Sequence, residues 1–512
     1  MTVEEFINSP WHKASIHPLY GNSFLHMRPA PEYASGEVVL ASTYRAVGFS
    51  SRIAAEGKIP ANGRAFQKCL DRGKRPRSSA VGTGIPLEPW KRIVSGTLRS
   101  PKQPNQTAKR FLQIGPVVPD AALYSLSARL SANSWNPGEL VARVLLFGEP
   151  DHASAQSLWN RLFHCLDVDD NDDLWARFLH AEFSSWRSED QKDSWRQPND
   201  LERDPAVVAW HQSSVSIPAN QFVRDLDCIL ALKPRLTRRQ WISMVEAMLR
   251  IGAAAHVLWT SRANSIAFGL LRNVLRGEQP LSDESLRQAF GAGDGFWRYG
   301  QLAGGAVNDF AINFIKSRAG LNLFLHHAAE QCGAIQGSLS GVTDFASLLR
   351  WTAEKRLALD YDLFAQHYER LLESDQRAFS GKKGIGANVR EFLRHVLGQR
   401  QTAEPGLDSY DQGYFLGKRG NHRAAPWFVS LGPVAVLALV HACTHNAKSL
   451  RTVDDLCTHL RRYGIDVQAQ DVPHSRLGLT LRTLGLVVDS PDAEGGMVVL
   501  NPFVEAQGRS QS

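Results

Sequence analysis

Two pairs of cysteine and histidine near the end of the chain are the clearest candidates for metal binding. Cys443-Thr-His445 and Cys457-Thr-His459 supply the thiolate and imidazole ligands of a tetrahedral zinc site. Their spacing fits no familiar zinc finger, and a free Cys inside a helix is commonly a small core residue. Asp167 to Asp173 form an acidic run, but Asp172 stands where a calcium-binding EF-hand requires Gly. We therefore expect no metal site, no cofactor and a solvated loop at these aspartates.

Two glycine-rich basic loops have the composition of phosphate-binding loops. They are Lys382-Lys383-Gly384-Ile385-Gly386 and the segment Gly413 to Gly420, which contains Lys418 and Arg419. Backbone amides beside a Lys can hold a phosphate. The second loop has too few residues between its glycines for a P-loop, and Arg419 replaces the required magnesium-binding Ser or Thr. An ATPase is therefore disfavoured, while Lys418 and Arg419 stay candidates for contacts with a phosphate backbone.

No complete catalytic motif is present in the sequence. His180-Ala-Glu182 opens a zinc-deaminase motif, but no P-C-x-x-C segment follows it. A nucleophile elbow, an HExxH helix and the kinase motifs are also missing. A metal-dependent nuclease built from dispersed carboxylates stays open as an alternative, because such a site has no contiguous motif. The sequence favours a chain that is not itself an enzyme.

Basic and hydroxyl side chains are grouped near the C-terminus, where the pattern predicts a helix from His474 to Leu484. A single helix fits the major groove of DNA, which is about 12 Å wide, and its polar face reaches the base edges. The side chains expected to face outward are His474, Ser475, Arg476, Thr480 and Arg482, and those expected to face inward are Leu477, Leu481 and Leu484. Those expected to contact phosphates are Lys448, Arg451, Arg461 and Arg462.

The elements around this helix follow the order of a winged helix. Thr452 and Asp455 form a capping box at the start of the preceding helix. The predicted elements are helices from Gly432 to about His445, from Thr452 to near Gly464 and from His474 to Leu484, and strands over 486–488 and 497–500. The wing between the strands carries Asp489, Asp492 and Glu494, which would repel phosphates. Docking of a partner protein on this domain is therefore an alternative to DNA contact.

The N-terminal part of the chain holds the densest positive segment. Between Arg64 and Arg110 there are twelve Lys or Arg residues against Asp71 and Glu88. Binding of such a segment to phosphates would release counterions and supply non-specific affinity for nucleic acid. The residues of this segment that we take as candidate contacts are Lys74, Arg75 and Arg77.

Composition indicates a folded protein of several domains. The chain has 512 residues, 43% of them hydrophobic and 21% charged, and its net charge is +7. Six cysteines without a C-x-x-C pair fit reduced thiols. The first ten residues lack the apolar stretch of a signal peptide, and the apolar run Trp427 to Cys443 is broken by Gly432 and Pro433. We expect a cytoplasmic protein without membrane contact.

We predict a mainly α fold in three parts. Residues 1–117 are expected to form a mixed, loop-rich basic region, with short strands at runs such as Val38-Val39-Leu40. Residues 118–410 are expected to form an irregular α-helical domain, with a sub-boundary near 187–204. Within it, Thr237 and Gln240 predict a capping box at the start of a helix. Residues 424–512 are expected to form the winged helix.

Two segments resemble uncharacterised bacterial proteins encoded in multigene antiphage defence operons. They are the helix from Arg238-Arg-Gln-Trp241 to His256-Val-Leu-Trp259, and Gly413 to Gly420 leading into Leu431-Gly-Pro-Val-Ala-Val. The resemblance covers most of the chain and implies a role beside a helicase, ATPase or nuclease from a neighbouring gene. It transfers no active-site residue.

The sequence therefore predicts a DNA-binding or assembly subunit of a bacterial multiprotein complex. The expected partners are DNA and proteins of the same operon. The alternatives are the metal-dependent nuclease and a protein-binding scaffold whose winged helix docks a partner.

Overall fold

Helices make up most of the described chain, which confirms the prediction of a mainly α protein. The computed structural model describes residues 1–27, 36–49, 84–98, 102–104, 116–123, 137–185, 195–211, 215–291, 295–335, 338–397, 401–403, 416–418, 426–445, 447, 449–488 and 497–503.

The helices run in chain order from the N-terminus to the C-terminal eighty residues. The first ten are α1 (Val3–Asn8), α2 (Pro18–Gly21), α3 (Gly36–Gly48), α4 (Leu87–Leu98), α5 (Pro137–Gly148), α6 (His152–Leu166), α7 (Leu174–Ser185), α8 (Pro205–His211), α9 (Pro218–Leu230) and α10 (Arg238–Arg276). The next ten are α11 (Asp283–Phe290), α12 (Ala303–Cys332), α13 (Val342–Glu354), α14 (Arg356–Leu359), α15 (Tyr361–Ser374), α16 (Gln376–Phe379), α17 (Gly384–Val396), α18 (Pro433–Thr444), α19 (Val453–Arg462) and α20 (Arg476–Thr483).

The strands are short, and some of them pair across large separations in sequence. They are β1 (Lys102–Pro104), β2 (Trp297–Arg298), β3 (Gln401–Ala403), β4 (Leu416–Lys418), β5 (Trp427–Val429), β6 (Arg451–Thr452), β7 (Ile465–Asp466), β8 (Val487–Val488) and β9 (Val498–Val499). β1 pairs with β3 and β4 with β5, both antiparallel, and β2 pairs with β7 in parallel. β6, β9 and β8 form one antiparallel sheet in that order.

The long helix α10 is the centre of the body, by which we mean the part of the chain before Pro433. It has 39 residues, so it is about 58 Å long. Thr237 and Gln240 form the predicted capping box at its start. Its apolar 18-residue window meets the length and composition criteria of a membrane span, but 89% of that window is buried inside the protein. Burial of this kind is typical of the core helix of a water-soluble protein.

Close packing of α10 against its neighbours uses glycines at two crossings. A Cβ atom at Gly252 would overlap the ring of Phe222 on α9, and one at Gly320 of α12 would overlap the ring of Phe268. Because glycine has no side chain, the helices approach closely at each crossing, and the Phe ring of the neighbouring helix occupies the space beside the glycine. The contacts of α10 therefore extend along most of its length.

The predicted strand at Val38-Val39-Leu40 is wrong, because these residues lie within α3. Val39, Leu40, Tyr44 and Val47 are all buried. Their spacing matches one face of a helix, which packs on α5. The β-branched side chains favour a strand locally, but burial of this helical face outweighs that preference.

Arg238, the first residue of α10, is a buried guanidinium that joins several segments. Only 2% of its surface is exposed, and it lies over the ring of Trp241. Its Nε donates to the Val117 carbonyl at 2.9 Å, and its Nη1 donates to the Asp167 carbonyl at 2.7 Å. Further acceptors are the Cys165 and Leu166 carbonyls, the Tyr44 hydroxyl and the Asp172 carboxylate.

The acidic run is therefore only in part the solvated loop that we expected, because Asp169 and Asp170 are exposed while Asp172 is not. Asp172 is buried and pairs with both Arg238 and Lys233, at 3.4 and 3.3 Å. Asp169 accepts a hydrogen bond from Lys233 at 2.8 Å, and Asp173 accepts one from the Arg238 backbone amide. Asp172 thus pairs with two cations inside the protein, whereas Asp169 binds Lys233 at the surface.

Replacement of Arg238 by Met should lower the free energy of unfolding by about 3 to 5 kcal/mol, because it leaves several buried carbonyls without this donor and removes one of the two cations that pair with the buried Asp172. Urea unfolding followed by circular dichroism measures this change. The neighbouring and exposed Arg239→Met is the matched control and should change the value by less than about 0.5 kcal/mol. Equal effects of the two substitutions would show that Arg238 does not hold the segments together.

Candidate nucleic-acid interface

The described residues from Pro433 to Phe503 form a unit of three helices and a sheet, here called the C-terminal module. Its elements follow the order α18, β6, α19, β7, α20, β8 and β9. Thr452 and Asp455 form the predicted capping box, in which the Asp455 carboxylate accepts from the Thr452 amide at 2.9 Å. The predicted strands near 487 and 498 are present, whereas β6 and β7 were not predicted.

The candidate DNA-reading helix starts later than predicted. Pro473 lies inside a short 3-10 turn, Ala469–His474, and Ser475 caps α20 by accepting a hydrogen bond from the Gly478 amide at 3.2 Å. A Cβ atom at Gly478 would overlap the Val472 carbonyl, so this turn and α20 pack tightly. Leu477 and Leu481 are buried as predicted, and Leu484 is half-buried.

The outward-facing residues of α20 differ in whether their polar groups already form hydrogen bonds within the protein. His474, Arg476 and Arg482 are exposed. The Ser475 hydroxyl donates to the Val472 carbonyl at 2.9 Å, and the Thr480 hydroxyl donates to the Arg476 carbonyl at 2.9 Å. These two hydroxyls therefore serve the helix itself. Arg482 donates to the Pro473 carbonyl at 2.8 Å, which orients its side chain across the start of the helix.

Three arginines that we expected to contact phosphates are held by partners within the protein. Arg451 pairs with Asp455 at 3.3 Å, and Arg461 pairs with Asp466 at 3.6 Å. Arg462 donates to the side-chain oxygen of Gln221 on α9, at 2.8 Å. Their positive charge is therefore partly neutralised or directed at the body.

The structure brings Arg476 next to the β4–β5 hairpin, which contains the Lys418 backbone. The Arg476 guanidinium lies over the Phe428 ring at 5.5 Å, and Phe428 is opposite Gly417 in the sheet. Lys418 itself is opposite Trp427. Two candidate segments far apart in sequence are thus neighbours. The remaining predicted contacts, Lys74, Arg75, Arg77, Arg419 and Lys448, lie outside the described residues.

Sequence reasoning missed Arg298 and Phe428, which lie beside the module. Arg298 is largely exposed and pairs with Asp471 at 3.6 Å. It belongs to β2, whose parallel pairing with β7 aligns Trp297 with Ile465. No local sequence pattern predicts a strand of two residues such as β2, which pairs with a segment more than 160 residues later in the chain.

A buried carboxylate clamps the module to the body. Asp225 on α9 accepts hydrogen bonds of 2.7 Å from Gln221, from the Tyr463 hydroxyl and from the His459 ring. Asp225 and Tyr463 are each about 1% exposed. Burial raises the pKa of Tyr463 well above its usual value, so this phenol stays protonated and donates to Asp225.

Three of the four candidate zinc ligands are used in this packing. His459 binds Asp225, and both cysteines are buried in the core. Burial raises the pKa of Cys443 to about 11 and that of Cys457 to about 12, so neither is a thiolate at neutral pH. Among the residues that the structure describes, no group of three or more His, Cys, Asp or Glu side chains could hold a metal ion.

Comparison of the chain with protein-family models and with curated proteins finds no match.

Replacement of Asp225 by Ala should loosen the module, because three buried donors lose their acceptor. We expect a loss of about 3 kcal/mol in the free energy of unfolding, together with faster amide hydrogen exchange in α19. Asp227→Ala is the matched control, since Asp227 lies on the same helix in an exposed ion pair with Arg161. It should cost less than about 1 kcal/mol. Unchanged exchange in α19 of the Asp225 variant would rule out the clamp.

Proposed function

We propose that this chain is a DNA-binding subunit of a bacterial multiprotein complex, and that its C-terminal module is a winged helix. The order of helices and strands in the module supports this assignment, as does the sheet order β6-β9-β8, which puts the last strand in the middle. In the proposed arrangement, α20 enters the major groove and partner proteins of the same operon carry out the chemistry. The chain then works in the cytoplasm, within an antiphage defence system.

The observation that carries the proposal is the exposed guanidinium of Arg476 on α20. Among the described residues, no carboxylate lies within ion-pairing distance of it, and its flat contact is with the Phe428 ring. An Arg held in this way keeps its charge for an anion and loses little side-chain freedom on binding. Arg482 follows six residues later in the last turn of α20. Arg is also the commonest residue in specific contacts with guanine.

The double substitution Arg476→Glu and Arg482→Glu should weaken duplex binding at least tenfold near 50 mM salt. Each lost phosphate contact should also flatten the plot of log affinity against log salt by about 0.9. Fluorescence anisotropy with a labelled duplex measures both quantities. Arg287→Glu, an exposed arginine on α11 that pairs with Glu284, is the matched control and should bind like the parent protein. No binding by the parent protein at 50 mM salt would exclude the proposal.

A protein-docking role for the module is a second candidate, favoured by exposed apolar side chains. Leu479, in the middle of α20, is 64% exposed, and Leu450 just before β6 is 75% exposed. Apolar side chains on a surface where several arginines are already paired are typical of protein contacts. In this case α20 would contact a partner subunit instead of DNA.

Leu479→Asp distinguishes these two roles. In the scaffold role it should abolish co-purification with the products of neighbouring genes and leave the anisotropy of DNA unchanged. In the DNA role it should reduce duplex affinity, because a carboxylate would face the phosphates. Leu357→Asp is the control, since Leu357 is 92% exposed and lies on α14 in the body. Normal co-purification by the Leu479 variant would reject the docking role.

The nuclease alternative gains no support from the buried carboxylates of the described chain. Asp172 pairs with Arg238 and Lys233, and Asp225 accepts from His459 and Tyr463. Glu182 accepts from the Trp90 indole at 3.0 Å, and Asp120 accepts from the Ser184 hydroxyl at 2.7 Å. Each of these carboxylates is already bound by donors of the protein.

A further inference from the structure

The C-terminal end of α10 carries a cluster of arginines packed on aromatic rings. Arg272 and Arg276 lie one helical turn apart in the last two turns. The Arg272 guanidinium lies 5.6 Å from the Phe268 ring and 5.8 Å from the Tyr368 ring. Arg276 lies 5.2 Å from the Tyr361 ring, and its Nε donates to the Tyr361 hydroxyl at 2.7 Å. The rings hold both guanidiniums in place.

A third guanidinium, that of Arg356 on α14, lies against the same helix end. The residue after Arg276 is Gly277, which has a φ of +107° and ends α10 in a left-handed conformation. A Cβ atom at Gly277 would lie 2.6 Å from Nη1 of Arg356. Because Gly277 has no side chain, the Arg356 guanidinium can lie against the last residue of this helix end.

As far as the described residues go, these three arginines have no carboxylate partner, unlike arginines on the helices around them. Arg350 pairs with Asp283 at 3.1 Å, and Arg370 pairs with Glu4. Within the described part of the chain, no ion pair involves Arg272, Arg276 or Arg356. Asp360, which precedes Tyr361, accepts hydrogen bonds from the amides of Asp362 and Leu363 at 3.1 and 3.2 Å. Its carboxylate is thus bound at the start of α15.

The positive charge of this cluster also acts on Tyr361. Partial burial alone would raise the pKa of Tyr361, but hydrogen bonds and charges from Arg276 and Arg272 lower it below the usual value. Asp360 is the one non-glycine residue with positive φ in the described chain, at 41°. This conformation is strained, and it sets Tyr361 as the first residue of α15 against Arg276.

We propose that Arg272, Arg276 and Arg356, with the Tyr361 hydroxyl, form a binding site for a phosphate group. Guanidinium groups match the geometry of phosphate oxygens and bind them through paired hydrogen bonds. Because aromatic packing already fixes two of these arginines, little side-chain entropy is lost when the anion binds. The phosphate can come from a nucleotide or from a nucleic-acid backbone. The inference uses no residue of the C-terminal module and does not depend on DNA binding by α20.

Isothermal titration calorimetry with pyrophosphate at constant ionic strength tests the site. The parent protein should show saturable binding of one pyrophosphate, and Arg276→Gln should weaken it at least tenfold, the effect of losing one charged hydrogen bond. Arg276→Lys should retain part of the affinity. Arg350→Gln is the matched control and should bind like the parent protein. Circular dichroism melting of each variant checks that it is folded.

Two further titrations distinguish the sources of the phosphate. Both use the Arg476→Glu, Arg482→Glu background, which removes the proposed groove contact. Tighter binding of ATP than of pyrophosphate identifies a nucleotide site, whereas duplex binding that Arg276→Gln abolishes identifies a backbone site. An absence of saturable binding of pyrophosphate to the parent protein, or equal binding by folded Arg276→Gln, would overturn the inference. Neither result would bear on DNA binding by α20.

Discussion

Arg238 has a buried guanidinium that needs hydrogen-bond acceptors, and this need fixes how several segments pack around the start of α10. Arg238 stands at the first position of α10 and binds carbonyls, a hydroxyl and a carboxylate from segments that are otherwise remote from each other. An unpaired cation in this position would be costly, so these segments and the start of α10 are fixed together. α10 is a continuous helix of 39 residues. The direction in which it leaves Arg238 therefore determines where its remaining residues meet the neighbouring helices.

The two candidate anion-binding surfaces differ in what holds their arginine side chains. In the C-terminal module, Arg451 and Arg461 have carboxylate partners and Arg462 has an amide partner, while Arg476 is exposed over a ring. At the end of α10, rings rather than carboxylates hold the arginines. Packing on a ring orients a guanidinium without cancelling its charge. The number of basic residues in a segment is therefore a poor guide to its capacity for anions.

Sequence patterns predicted what depends on neighbouring residues. The capping boxes at Thr237 and Thr452 are set within four residues, and the mainly α fold follows from helical periodicity. The pairing of Arg451 with Asp455 could also have been predicted from their four-residue spacing. The clamp between Asp225 and His459 could not, since 234 residues separate them. The same holds for β2 with β7, and for Arg356 with Gly277, because only the tertiary fold makes these residues neighbours.

The C-terminal module is attached to the body at several separate places, among them the Asp225 clamp and the parallel pairing of β2 with β7. Two separated attachments remove the freedom to rotate about a single hinge. A ligand bound to α20 would take one orientation relative to α10, and a force on that ligand would pass into the helical body instead of being absorbed by a linker. If α20 and the end of α10 each bind a ligand as proposed, the fold therefore fixes the angle between the two ligands.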